Sequence, residues 1–168
     1  SRHELVIRGV QVGKAIRDRR DRAGGTSADP LVGPASDPFS GFYPTVTEVL
    51  ALPAVVDGEP VVRAGASALD QPVRWTHVAE VADVARLLRG GELLLTTGVL
   101  LPQEPSGLAA YVEDLADAGV TGLMVEVGRR FDRLPDGMVE VAERRGLDPD
   151  HPQHLTRSVV LSSKGANT

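Results

Sequence analysis

Hydrophobic positions along the chain fall into two rhythms. Over residues 73–79 they alternate, with Val73, Trp75, His77 and Ala79 on one face and Arg74, Thr76 and Val78 on the other. That is the two-residue period of a strand. Over residues 90–98 they run together: Gly90 and Gly91, then Glu92, Leu93, Leu94 and Leu95, then Thr96, Thr97 and Gly98. A continuous apolar run between turn residues predicts a strand buried on both faces. Residues 81–89 leave room for one short helix closed by the two glycines. A strand, a short helix and a second buried strand predict parallel pairing with a right-handed crossover. In that helix Ala82, Ala85, Leu87 and Leu88 are the expected buried set, with Asp83 placed to cap it.

The flanking segments extend this unit. Thr45 and Glu48 have the spacing of a capping box, and Val49, Leu50 and Leu52 give the helix behind it an apolar side. Pro53 is expected to end that helix, because proline pushes its predecessor out of helical geometry. Residues 61–65 predict a strand. Residues 105–118 predict the clearest helix, with Pro105 at its first position and Leu108, Tyr111, Val112, Leu115 and Ala116 at the three-and-four spacing of one buried face. A strand over 122–128 follows, then a helix from Leu134 to Gly146 with Met138, Val141 and Ala142 inward. Glu126 lies within the strand, where a covered sheet would oblige it to find a partner; Arg129 and Arg130 are the nearest. The fold class these elements predict is α/β, a small two- or three-layer sandwich on a mostly parallel sheet.

The ends of the chain break the pattern. Residues 1–42 begin basic, with seven Lys and Arg up to Arg22, and continue rich in Gly, Ser, Pro and Asp. That composition predicts a flexible leader, with a brief strand at Val6–Val12 or a short helix over residues 12–22 as local options. A nucleic-acid-binding arm is the sharper alternative, weakened by the absence of interleaved aromatics. Residues 148–168 predict an irregular tail, with a weak strand over 158–161. His151 and His154 beside Asp148 and Asp150 suggest metal ligation only loosely, having no element to aim them, and no metal site is expected. The expected division is therefore leader 1–42, folded domain 43–147 and tail 148–168. A chain opening on Ser1 is expected to be a fragment or a processed product.

Composition narrows the function classes. Apolar residues make up 42% and charged residues 24% of the 168, ordinary values for a globular domain. The formal charge is −5 and most of the acidic excess lies after Phe42, the reverse of a surface built to neutralise phosphates. There is no cysteine, which excludes disulfides and thiolate metal sites. No apolar run approaches the roughly 18 residues of a membrane span. A cytoplasmic location is the expectation.

Candidate chemistry collects where the two central strands end. Ligands of open parallel sheets bind beyond the carboxyl ends of the strands. The residues there are Glu80 after the first strand and Thr96, Thr97 and Gly98 at the end of the second, with His77 on the first strand itself. Each also has a structural reading: threonines that satisfy loop backbone groups, and a histidine hydrogen-bonded within the fold. Trp75 reads as a core anchor or as a ligand-stacking ring. No nucleophile, base and orienting group stand at recognisable spacing, and no phosphate-binding glycine loop precedes a helix. Neither an enzyme nor a bound cofactor is expected.

The order of these motifs resembles the N-terminal domain of PucR-type (purine catabolism regulator-like) bacterial transcription regulators. The resemblance is carried by residues 45–53, by Leu69-Asp70-Gln71-Pro72 running into 73–80, by residues 88–98 with their Arg89-Gly90-Gly91-Glu92 start, and by residues 111–128. It spans residues 43–147. It implies an α/β ligand-sensing domain that reaches DNA only through a helix-turn-helix domain this chain is expected to lack, and self-association is expected of it. A small-molecule effector, such as a purine-pathway or other nitrogen metabolite, is the implied partner. The alternatives are a ligand-independent dimerisation module or a truncated fragment without function. The apolar strand that the family places after the last helix is expected to be missing, leaving a sheet edge uncovered.

Overall fold

The computed structural model describes residues 2–22, 43–147 and 159–164. Along the chain run helices α1 (Arg2–Arg22), α2 (Val46–Leu50) and α3 (Pro53–Val56), then strands β1 (Val61–Ala64), β2 (Trp75–Val78) and β3 (Glu92–Thr96). Helix α4 (Pro105–Asp117), strand β4 (Gly122–Val127), helix α5 (Asp136–Leu147) and strand β5 (Val159–Lys164) complete it. The sheet has the order β1-β5-β4-β3-β2, with β2 to β5 parallel and β1 antiparallel to β5.

Three layers result, because the leucine run feeds both faces. Leu93 and Leu95 pack with Met124, Val159 and Leu161 under α1, α2 and α3. Leu94 packs with Leu123, Val125 and Val160 under α4 and α5, beside Leu108, Tyr111, Val112, Leu115 and Met138. All three leucines are fully buried. Each contributes about 1.5–3 kcal/mol relative to exposure, so the run anchors both halves of the core. All five apolar positions expected to line α4 are buried.

Local signals act as their chemistry dictates. Thr45 Oγ1 accepts the Glu48 N–H at 3.2 Å and Glu48 Oε1 accepts the Thr45 N–H at 3.4 Å, closing the capping box on α2. Pro53 does more than stop that helix: it opens α3 at its first position, where a missing N–H costs nothing. The segment between β2 and β3 is one 3₁₀ turn, Val84–Leu87, and not an α-helix. Its tighter period buries Val84 and leaves Leu87 65% exposed, so the buried set expected of an α-helix does not hold. Asp83 takes the N-cap position without a side-chain cap bond.

The ends differ most from expectation. Residues 2–22 of the expected flexible leader form α1, which lies on the sheet with Leu5, Arg8, Gly9, Val12 and Ile16 buried. These positions share one helical face, and Val6, Ile7 and Val10 point outward. Docking is specific: Arg8 Nε donates to the Ala54 carbonyl at 3.0 Å and Nη1 to Ser163 Oγ at 3.4 Å, while Thr76 Oγ1 donates to the Gly9 carbonyl at 3.3 Å. Arg19 pairs with Glu48. The tail likewise contains β5, buried from Val159 through Ser163 and inserted between β4 and β1. The strand expected to be missing is therefore present. Three apolar residues are too few for a periodic signal, and pairing on both sides supplies what the local sequence does not. Asp148, Asp150, His151 and His154 lie outside the described residues, as do residues 23–42.

Candidate functional site

The register of β2 on β3 builds the site. Trp75 pairs with Glu92, His77 with Leu94 and Val78 with Leu95. Two residues further on, at the carboxyl rim, Glu80 is level with Thr97. The Glu80 carboxylate accepts three hydrogen bonds there: the Thr97 N–H at 2.7 Å on Oε1, the Thr97 hydroxyl at 3.0 Å on Oε2 and the Thr96 hydroxyl at 3.2 Å on Oε2. Thr96 Oγ1 in turn accepts the Gly98 N–H at 3.0 Å. Both threonines are buried. A carboxylate offers about four lone-pair directions, so this network leaves Glu80 roughly one acceptor position for another group.

Gly98 is a glycine for two reasons. Its φ is +78°, and an added Cβ would stand 2.8 Å from Phe131 Cε2. Phe131 comes from the loop after β4, where Arg130 lies over its ring at 4.9 Å. Arg130 also donates to the Leu101 carbonyl at 3.2 Å and the Pro102 carbonyl at 3.3 Å. The loops after β2 and β4 are thus both tied to the loop after β3. Val99 and Leu100 on that loop, and Val81 after β2, are large apolar side chains left exposed.

Tyr111 approaches from α4. Its side chain is buried, and burial raises the phenol's pKa well above 10; the negative charge of Glu80 raises it further. The hydroxyl therefore stays protonated, a donor in the neighbourhood of the carboxylate.

Of the residues singled out from sequence, Glu80, Thr96, Thr97 and Gly98 meet at one rim. His77 does not join them: it is level with Leu94, mid-strand, and no hydrogen bond links it to that group. Trp75 is half-buried outside both core clusters, with the Arg74 guanidinium over its ring at 4.7 Å, so it is not the core anchor that one reading expected. Arg130, a candidate partner of Glu126, donates to loop carbonyls, and Glu126 is level with Ser163 of β5. Glu92 takes the structural part expected of it, with Oε2 accepting the Arg89 N–H at 2.6 Å. Tyr111, Arg130 and Phe131 were not legible as rim residues. The first reads as core periodicity, and the others sit after a strand at an offset resembling that of Glu80.

The rim offers hydroxyls, a carboxylate and a phenol for hydrogen bonding, edged by apolar side chains. Among the described residues no group of three or more His, Asp or Glu is placed to hold a metal ion. None of the described helices is long and apolar enough to cross a membrane.

Comparison with known proteins bears on what such a rim serves. Residues 48–148 match the profile of the purine catabolism regulatory protein-like family, PucR. The chain is also similar to the transcriptional activator PmfR of Paenarthrobacter nicotinovorans, with 32% identity over 86 residues. That alignment covers 51% of this chain and 18% of the length of PmfR. No solved structure matches. The family match takes in β2, β3, α4, β4 and α5, the elements that carry the leucine run and the Glu80–Thr97 rim, and by it the chain belongs to the purine catabolism regulatory protein-like family.

Proposed function

We propose that this domain is the effector-sensing part of a PucR-type transcription regulator, and that the effector binds at the carboxyl rim of β2 and β3. The observation that carries this reading is the register that brings Glu80 level with Thr97, gathering one carboxylate and two hydroxyls where parallel sheets present ligands. His77, mid-strand and level with Leu94, stands apart from this group and is not among the proposed contacts. Groups of this kind suit an N–H-rich metabolite, such as a purine or an allantoin-type intermediate, whose donors would compete for Glu80 and Thr97. In this reading the domain works in the cytoplasm as a homo-oligomer. It signals to a DNA-binding domain and does not bind DNA itself, in keeping with its net charge of −5. It performs no catalysis.

The test is a thermal-shift screen of the folded chain against purines, allantoin-type compounds and amino acids. A binder of the folded state raises the melting temperature by mass action, and the shift should disappear in Thr97→Val. A folded protein stabilised by none of them would end the sensing reading. The exposed Val81, Val99 and Leu100 favour a second reading, in which the rim is a dimer contact that needs no effector. Ultracentrifugation showing a dimer broken by Leu100→Asp, together with an empty screen, would select it.

A further inference from the structure

Helix α1 lies outside the family match and makes a feature of its own where it crosses β2. Between them is an open groove of about 500 Å³, within the range of small-molecule sites. Gly9 and Gly13 let the helix approach the strand, leaving Thr76 and Val78 as the floor. Val6, Val10 and Ile16 give one apolar wall. The charged lining is of one sign: Arg17, Arg20 and Arg74, with no Asp or Glu among the lining residues, in a protein of net charge −5. The Nε of Arg20 is buried and makes no hydrogen bond, its ion pair with Asp21 Oδ1 being long at 3.7 Å. Trp75 edges the groove beneath the Arg74 guanidinium.

We infer that this groove binds a small organic carboxylate with an apolar body, the carboxylate held by Arg17 and Arg20 and the hydrocarbon laid against Val6, Val10 and Trp75. Guanidinium forks match carboxylates in geometry as well as charge, and an apolar body gains by leaving water against the aliphatic wall. A nucleic-acid strand fits less well. It would need cations spaced along a path, whereas these three converge in one concavity beside the exposed acids Asp18 and Asp21. The inference stands apart from the rim, since the groove lies on the α1 side of β2.

Trp75 is the sole tryptophan, so its fluorescence reports directly on the groove. The 168-residue chain is titrated with octanoate, with 1-octanol and acetate as the two halves of the ligand presented separately, with inorganic phosphate as a bare anion, and with a short oligothymidylate. Octanoate should give a saturable change, and each half and phosphate a far weaker one. The double variant Arg17→Ala/Arg20→Ala should weaken octanoate by about tenfold or more. Gly13→Leu, whose Cβ would stand at an ordinary contact distance of 3.6 Å from Arg17 Nη1 and Thr76 Oγ1 and whose side chain would fill the groove, should abolish binding without loss of helical circular dichroism. The inference is overturned if octanoate produces no saturable change, if 1-octanol, acetate or phosphate binds as tightly, or if the variants leave affinity unchanged. Tighter binding of the oligonucleotide with displacement of octanoate would overturn it in favour of a nucleic-acid arm.

Discussion

The carboxylate of Glu80 holds Thr97 at two points, accepting its backbone N–H at 2.7 Å and its hydroxyl at 3.0 Å. One side chain thereby fixes the relative position of the loops that leave β2 and β3. The same bonds that assemble the rim also satisfy it, so a ligand reaching Glu80 must replace donors already in place.

Replacing Glu80 should therefore cost stability in two steps. Glu80→Ala removes the acceptor for three donors, all of them on buried threonines, and is expected to destabilise by about 1–3 kcal/mol. Glu80→Gln keeps one oxygen and should recover part of that loss. Urea denaturation of both variants measures it. Equal stability of wild type and Glu80→Ala would show that the loops are held by something else.

Tyr111 gives the protein an alkaline limit. Its pKa in the folded state lies above the ordinary value near 10, chiefly through burial and secondly through Glu80. Below pH 10 the phenol is protonated in both states and its contribution is fully present. Above that, the unfolded chain releases a proton that the folded chain keeps, so stability falls as pH rises toward the folded-state pKa, by up to about 1.4 kcal/mol per pH unit. Tyr111→Phe should flatten this slope. Urea melts of both proteins at several pH values above 10 provide the comparison, and parallel slopes would refute the assignment.

How much of this was legible in the sequence depends on how local the cause is. The capping box at Thr45 and Glu48, the stripe on α4 and the leucine run between glycines each depend on neighbours a few residues away, and each could be read directly. Strand β5 was legible only as a weak strand over 158–161: Ser162 and Ser163 dilute its apolar triplet, and its full strand character comes from β4 and β1 on either side. Helix α1 was legible only as a local option over residues 12–22, because Arg8 and Gly9 stand in the buried stripe of its first half, and both are explained only by what they touch, Ala54 and Ser163 in one case and Val78 in the other. At the rim the residue set was readable from its position after the strands. The partition was not, since only the register decides that Glu80 meets Thr97 while His77 stays level with Leu94.

The two glycines of α1 should answer differently to the same substitution. In a helix interior, Gly→Ala ordinarily stabilises by about 0.5–1 kcal/mol through lost chain entropy in the unfolded state. At Gly13 an added Cβ would meet Arg17 Nη1 and Thr76 Oγ1 at 3.6 Å, ordinary contact distances, so Gly13→Ala should show that gain. At Gly9 the Cβ would stand 2.7 Å from Val78 Cγ2, and the β-branched valine has little rotamer freedom with which to yield. Gly9→Ala should therefore forfeit the gain, and Gly9→Leu should lift α1 from β2 and expose Leu5, Val12 and Ile16. Trypsin provides the readout, because the helix carries Lys14, Arg17, Arg19, Arg20 and Arg22, and an undocked helix opens to cleavage more readily than a docked one. Equal cleavage of wild type and Gly9→Leu within α1 would mean that the helix is not held against the sheet through Gly9.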